Sequence, residues 1–357
     1  PMRGQNNIQG AGDSGAIPSN YPGFQPVSDP DNQAKFREHY GKEIDLEKGI
    51  TKVRALEQCG EKIHAMLIDG ENTVVSDPDR KHCESALTAL KHLVVIDIFL
   101  TETAELADVV FPASSWAETE GVFTNTERRV QKVRAAVPSP GEARPDWWII
   151  AQIAKRLGLP GFDFTHAKDV FNELCDLSPI YRGLNWDRID RGEYQWPVPD
   201  ADHPGTPILH KDEFINGRGL FKVINYRDPA ETINEDYPIW LTTGRRLTSY
   251  HTRTQTGRVQ GIEYLLPEES LEVHPDDVAT WGLSNGGWCR MASPRGSVEV
   301  KVRSTDRSPR GTVFSSFSFN DVPVNILTGS GYDPTTDTAE LKVCPVSIEP
   351  IDRDATD

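Results

Sequence analysis

The chain is 357 residues long, 37% hydrophobic with a mean hydropathy of -0.50, and carries a formal charge of -16. No apolar run approaches the roughly 18 residues that cross a bilayer, which excludes a membrane-spanning helix. The acidic balance argues against nucleic acid, whose binding needs a basic surface to displace counterions.

That length has room for two or three domains. The five cysteines, Cys59, Cys83, Cys175, Cys289 and Cys344, never approach a C-x-x-C spacing. They predict buried free thiols in a reducing compartment rather than a zinc or iron–sulfur site.

Residues 1–30 are rich in Gly, Pro and Asn and predict a loop-dominated opening; 31–62 are charged and helix-permissive. Ile63–Ile68 reads as a short buried strand stopped by Asp69-Gly70-Glu71-Asn72. A helical stretch over 78–91 leads to a second apolar strand, Leu93–Phe99, then a helical turn over 102–107 and a third strand, Asp108–Phe111. Apolar strands separated by helices predict an α/β portion with a parallel sheet covered on both faces. Ligands of such sheets sit at strand C-terminal ends, here the loops 69–73 and 97–101.

Trp116–Lys132 alternates and carries turn residues, predicting a hairpin. Asp146–Leu157 is the cleanest helix: Asp146 suits the N-cap, apolar residues recur at 147, 150, 153, 154 and 157, and Gly158 then Pro160 stop it. Scattered Pro, Gly and Asp over 161–236 predict a long irregular connection. From Tyr237 the character changes. Strands at Pro238–Thr243, Gly287–Ala292, Ser297–Arg303 and Gly311–Phe319 predict a β-rich, barrel-like C-terminal domain. The expected division is 1–165, 166–236 and 237–357.

Two clusters could carry chemistry. Pro1-Met2-Arg3-Gly4-Gln5-Asn6-Asn7 sets a guanidinium fork, suited to a small carboxylate, beside a glycine and three amides that both donate and accept. Thr242–Arg253 places three arginines, a histidine, several hydroxyls and a glycine after a buried strand, a donor set suited to phosphate oxygens.

Residues 1–18 resemble a segment of the molybdenum- or tungsten-dependent formate dehydrogenases, in the dimethyl sulfoxide reductase family. Further stretches match that family in chain order: Val95–Ala104 and Ala107–Pro112 with Trp116, Glu118, Glu120-Gly121 and Phe123-Thr124; Asp146-Trp147; Asn325–Thr328; and Lys342–Val346. Thr242–Arg253 is similar to the opening of the family's C-terminal cofactor domain. In the family the first segment lies deep inside a longer catalytic subunit. The resemblance, with no initiator methionine at Pro1, therefore implies the C-terminal half of such a subunit.

It further implies that Arg3 faces formate and that Gln5 is a nearby amide on the cofactor side. Gly70, Glu71 and Asn72 would meet one pterin dinucleotide, with Asp97 and Asp146 at its guanine–ribose end. Thr243, Arg245, Ser249, His251 and Thr252 would hold pterin and phosphates, and Asn325 and Lys342 would close over them. Asp146 is equally well accounted for as a helix cap, whereas Asp97 in an apolar strand needs partners on any reading. The implied cofactor is bis-molybdopterin guanine dinucleotide with Mo or W. A [4Fe-4S] cluster and the metal's protein ligand are expected in the preceding half of the subunit, not among these residues.

The implied activity is two-electron oxidation of formate to carbon dioxide in the cytoplasm, with iron–sulfur electron-transfer subunits as partners. A sister enzyme such as nitrate reductase, or a pterin-free relative in a respiratory complex, are the alternatives. The chain departs from the family at Gly12 and Ser14, where many relatives carry cysteine and methionine. It departs again at Ile96, where some carry a polar residue.

Overall fold

The computed structural model describes residues 5–41 and 47–353. Helix α1 (Ile8–Asp13) follows Asn7, whose backbone is left-handed at φ 54°. Helix α2 (Pro30–Tyr40) starts as its sequence dictates: Asp29 caps it by accepting from Asp31 N at 2.9 Å, proline takes the first helical position, and left-handed Gly41 ends it.

After α3 (Lys52–Leu56), strand β1 (Ala65–Asp69) leads through α4 (Thr73–Ser76) and α5 (Arg80–Thr88) to β2 (His92–Asp97) and β3 (Val109–Pro112). Strands β1 and β2 run parallel with Ile68 opposite Val95, and β2 is the central strand. Ile68, Leu93 and Val95 pack with Leu56, Val74, Cys83 and Leu87 from the helices. The opposite face is not fully covered in this chain: Leu67 is 44% exposed. Period-two alternation makes that split inevitable once Ile68 turns inward.

Strands β4 (Gly121–Thr124) and β5 (Arg129–Val133) form the expected hairpin. Helix α6 spans Asp146–Arg156, but its N-cap is Pro145 and Asp146 is the first helical residue. The Asp146 carboxylate therefore acts on the helix dipole from inside the first turn rather than capping from outside. The stretch 161–236 is also more ordered than its composition predicts. Helix α7 (Ala167–Leu177) opens with a capping box between His166 and Asp169, and α8 (Trp186–Arg191) is capped by Asn185. Phe171, Cys175, Tyr181, Leu184, Trp186 and Ile189 pack with Val130 and Val198 into a separate core.

The C-terminal strands are β6 (Ile239–Gly244), β7 (Ser270–Val273), β8 (Trp288–Ser293), β9 (Gly296–Ser304), β10 (Thr312–Ser316) and β11 (Cys344–Ile351), with α9 (Gln260–Leu265) and α10 (Pro275–Thr280) between them. They close into a barrel in the order β7-β9-β8-β11-β6-β10. Inward residues alternate along each strand and fill it, among them Leu241, Leu271, Met291, Val300, Val313 and Val346.

The chain resolves into two compact units, each made of two separated stretches: Pro1–Thr51 with Phe111–Val223, and Lys52–Val110 with Ile224–Asp357. Four of the five cysteines are buried, all five are free, and burial pushes the Cys83 and Cys289 thiols up to about 12. Among the described residues no helix is long and apolar enough to cross a membrane, and no group of three or more His, Cys, Asp or Glu is placed to hold a metal ion.

Candidate functional site

Strand β1 ends in a turn that only glycine adopts without strain. Gly70 sits at φ 65°, donates to Ile96 O at 2.8 Å, and has no atom within 4 Å of where a Cβ would stand. The backbone is thus bare to whatever lies above it. Glu71 follows, accepting from Ser76 Oγ at 2.5 Å. Lys52 Nζ reaches Asp77 at 2.5 Å and Glu71 at 3.9 Å. Asn72 is buried and engaged on both ends: Nδ2 donates to Glu102 at 2.7 Å, while Oδ1 accepts from Thr103 Oγ1 at 2.9 Å. Its first task is to join two loops.

Asp97 ends β2 and accepts from Phe99 N at 3.2 Å. Burial pushes its carboxyl above the usual range, against the pull of backbone donors at Phe99 and Ile98.

The loop after β6 divides its arginines sharply. Arg246 is clamped between Glu269 and Glu272, 2.5 Å from each. Arg253 pairs with Glu263 at 2.6 Å and lies over the Phe319 ring at 4.0 Å. Arg245 is exposed, 5.5 Å from the Phe317 ring centroid, and is the arginine of this loop left outside an ion pair among the described residues. The two clamped arginines hold the loop to the barrel; Arg245 is available to a ligand.

Thr243 gives its hydroxyl hydrogen to Leu341 O, and its own carbonyl accepts from Lys342 Nζ at 3.1 Å. Burial, then the charge of Arg245, lowers the Lys342 ammonium. Ser249 is buried, and its hydroxyl has no hydrogen-bond partner among the described residues. Such an orphan calls for an explanation. His251 is left-handed at φ 48°, packs edge-on against Phe317, and anchors through its carbonyl, which accepts from Ser318 Oγ at 2.8 Å. Burial holds its imidazole below the ordinary value, ahead of the opposing charge of Glu71 and the like charge of Arg245.

Parts of these loops meet in one cleft, which Thr243, Arg245, Ser249 and Lys342 do not line. Gly70, Glu71, Asn72, Asp97, Ile98 and Thr101 form one wall, and Tyr250, His251, Thr252, Thr254 and Gln255 the other. Six of the residues singled out from sequence are thereby brought together. Thr254 and Gln255 were missed; the signal was the polar run continuing past Arg253.

Asn325 lies elsewhere in this unit, tied to the backbone of α4. Gln5 and Asp146 belong to the other unit, where Gln5 lines a polar cleft with Asn6, Asn7, Thr124, Asn125 and Gln131. Arg3 lies outside the described residues.

A cleft of bare backbone, carboxylates and hydroxyls at the C-terminal ends of parallel strands suits a nucleotide-like ligand. The chain carries two molybdopterin-enzyme domains: residues 4–156 match the molybdopterin oxidoreductase family, and residues 239–345 match the molybdopterin dinucleotide binding domain. The chain is 45% identical over 354 residues to the F420-dependent formate dehydrogenase subunit alpha of Methanocaldococcus jannaschii, covering 98% of this chain and 52% of that protein. It is 35% identical to the assimilatory nitrate reductase catalytic subunit of Bacillus subtilis, over 98% of this chain and 51% of that one. Among solved structures, acetylene hydratase from Pelobacter acetylenicus superimposes with a TM-score of 0.63 at 17% identity, covering 94% of this chain and 48% of that chain, a likeness of fold. The chain spans about half the length of the curated relatives it matches.

Proposed function

We propose that this chain is the C-terminal half of the catalytic subunit of a formate dehydrogenase, which oxidises formate to carbon dioxide by two electrons. The cofactor is bis-molybdopterin guanine dinucleotide carrying Mo or W, with a [4Fe-4S] cluster in the other half of the subunit and iron–sulfur subunits as electron acceptors. Five free cysteines among the described residues fit the reducing cytoplasm.

The observation that carries the cofactor reading is the cleft between loops 70–72 and 250–255, with the Ser249 hydroxyl buried and unpartnered beside it in sequence. These residues fit a pterin dinucleotide. Gly70 would admit it to the backbone, Glu71 and Asp97 would accept from its amino and hydroxyl groups, Asn72 would hold that wall in place through Glu102 and Thr103, and Ser249, His251 and Thr252 would donate to it. Arg245 and Lys342 would neutralise phosphate charge, with Thr243 and Asn325 fixing the walls. When bound, the metal–pterin group supplies the two-electron redox chemistry.

The protein's own part is to hold substrate. Arg3 would take both formate oxygens in its planar fork, and Gln5 would present an amide next to it, so that the C–H bond has one orientation. Close relatives named as formate dehydrogenases support that choice of substrate.

The test uses the full-length protein containing this chain. Metal-loaded enzyme is offered formate with an oxidised viologen dye, and nitrate with the reduced dye. Formate-dependent reduction without nitrate turnover is expected. Nitrate turnover without formate oxidation would replace this reading by the sister enzyme.

A further inference from the structure

We propose that Asp13 is a positioning residue for the segment Gln5–Asn7, acting through Tyr181 and Thr124 across a gap kept open by Gly10. The proposal rests on the reading that this segment serves the substrate.

The Asp13 side chain is fully buried. Its Oδ1 accepts from Gln9 Nε2 at 2.7 Å; its Oδ2 accepts from Tyr181 Oη at 2.6 Å and Trp196 Nε1 at 2.8 Å. Among the described residues these three donors converge on the two oxygens, a set that matches the ionised carboxylate, which only accepts. Tyr181 keeps its proton, its phenol raised by burial first and then by the Asp13 charge.

That fixes the direction of the next bond. Tyr181 Oη spends its hydrogen on Asp13, so the 2.7 Å contact between Thr124 Oγ1 and Tyr181 Oη is donated by the threonine. Thr124 is thereby held at one rotation of its hydroxyl and, through it, at one place on strand β4. Its backbone N–H donates to Asn7 Oδ1 at 2.9 Å.

This last bond crosses the open face of Gly10. A Cβ there would lie 2.1 Å from Asn7 Oδ1 and 3.2 Å from Thr124 N. Any other residue at position 10 evicts the Asn7 side chain. Asn7 itself sits in the left-handed region at φ 54°, a conformation asparagine tolerates better than most but which still needs holding. Held there, it sets the exit of Gln5–Asn7 along the polar cleft that Phe123, Thr124 and Gln131 share with it.

A buried charge is a poor device for stability, since its desolvation consumes most of what its bonds return. The unit already has an apolar core around Phe171, Leu184 and Trp186. What a charge with three donors supplies is a single orientation for each of its partners.

The test compares Gly10→Ala, Tyr181→Phe, Arg3→Lys and the double variant Gly10→Ala/Arg3→Lys in the full-length holoenzyme. Gly10→Ala and Tyr181→Phe should each raise KM for formate about ten-fold, while metal and guanine-nucleotide content stay at wild-type levels. Amide exchange at Thr124 should accelerate by a similar factor, a readout independent of turnover. In the Arg3→Lys background the Gly10→Ala effect on KM should shrink to less than about two-fold, because effects that act through one another do not add.

If Gly10→Ala fails to fold, Tyr181→Phe, which keeps the ring, and its own double variant with Arg3→Lys carry the test. Unchanged KM in the single variants, or an equal rise with and without Arg3, overturns the positioning role while leaving the functional reading in place. Near-normal formate turnover by Arg3→Lys overturns the functional reading and the positioning role together.

Discussion

Asn325 donates from Nδ2 to the backbone carbonyls of Val75, at 2.9 Å, and Ser76, at 3.1 Å. It thereby satisfies the last turn of α4, the helix that leaves the Gly70–Asn72 wall of the cleft. Its Oδ1 is buried without a hydrogen-bond partner among the described residues. Helix ends leave carbonyls unpaired, and here a side chain from the C-terminal stretch supplies the missing donor. Asn325→Ala should lower stability by about 1–3 kcal/mol, the cost of leaving buried carbonyls unsatisfied. Urea unfolding reads this directly, and a variant as stable as wild type would refute the stitch.

The arginines of the loop after β6 should behave oppositely. Arg246→Ala leaves the buried Glu269 without its cation, and Glu272 with Arg303 at 3.9 Å in place of a contact at 2.5 Å, and should destabilise by about 3–5 kcal/mol. Arg245→Ala removes an exposed side chain and should move stability by no more than about 0.5 kcal/mol. Its effect should appear instead as a lower yield of guanine nucleotide released on acid denaturation of the full-length enzyme. Equal nucleotide yield from Arg245→Ala and wild type would remove that residue from the phosphate cradle.

His251 gives a pH signature whose sign follows from burial. The folded imidazole lies below its ordinary value of 6.5, so the unfolded chain binds the proton first as pH falls. The contribution of His251 is therefore complete above about pH 6.5 and is lost progressively as pH drops below it. Between about pH 7.5 and 5.5 the thermal midpoint of the cofactor-free protein should fall more for wild type than for His251→Gln. An anionic phosphate bound beside the ring would favour imidazolium and flatten this difference. Parallel curves for the two proteins would show that the ring titrates as freely in the fold as out of it.

Much of this architecture could be read in advance where one physical signal dominates. Leu93-Val94-Val95-Ile96 is too apolar for anything but a covered strand, and Asp69-Gly70 marks its neighbour's end. The barrel strands β8 and β9 announce themselves by alternation around the Ser293–Gly296 turn. Strand β7 was hidden because Glu272 is buried within it as an ion-pair partner of Arg246. Strand β11 was hidden by Pro345 and Pro350. Helix α7 escaped because its cap is a histidine; the apolar spacing Val170, Phe171, Leu174, Leu177 was there to be read.

Sequence singled out loops that the fold brings to one cleft, but could not apportion roles within them. Nothing in Thr-Thr-Gly-Arg-Arg tells which arginine meets a carboxylate and which stays exposed. That division is set by Glu269 and Glu272, more than twenty positions downstream, and only folding brings them together.

On the proposed reading, Arg3 is the residue that binds the substrate. A formate carboxylate is planar, and a guanidinium can take both oxygens at once with two parallel N–H donors. Lysine keeps the charge but offers a point ammonium, which leaves the carboxylate free to swing about one bond. Orientation is the protein's main contribution when the redox step belongs to the cofactor. Arg3→Lys in the full-length, metal-loaded enzyme should therefore lower kcat/KM for formate by about 100-fold or more, equivalent to roughly 3 kcal/mol of transition-state stabilisation. The Gln5–Asn7 segment beside it remains held by Thr124 in the variant, so the loss should come without a drop in thermal midpoint. Turnover within a few-fold of wild type at full metal loading would mean that another group binds the carboxylate, and the assignment of Arg3 would have to be given up.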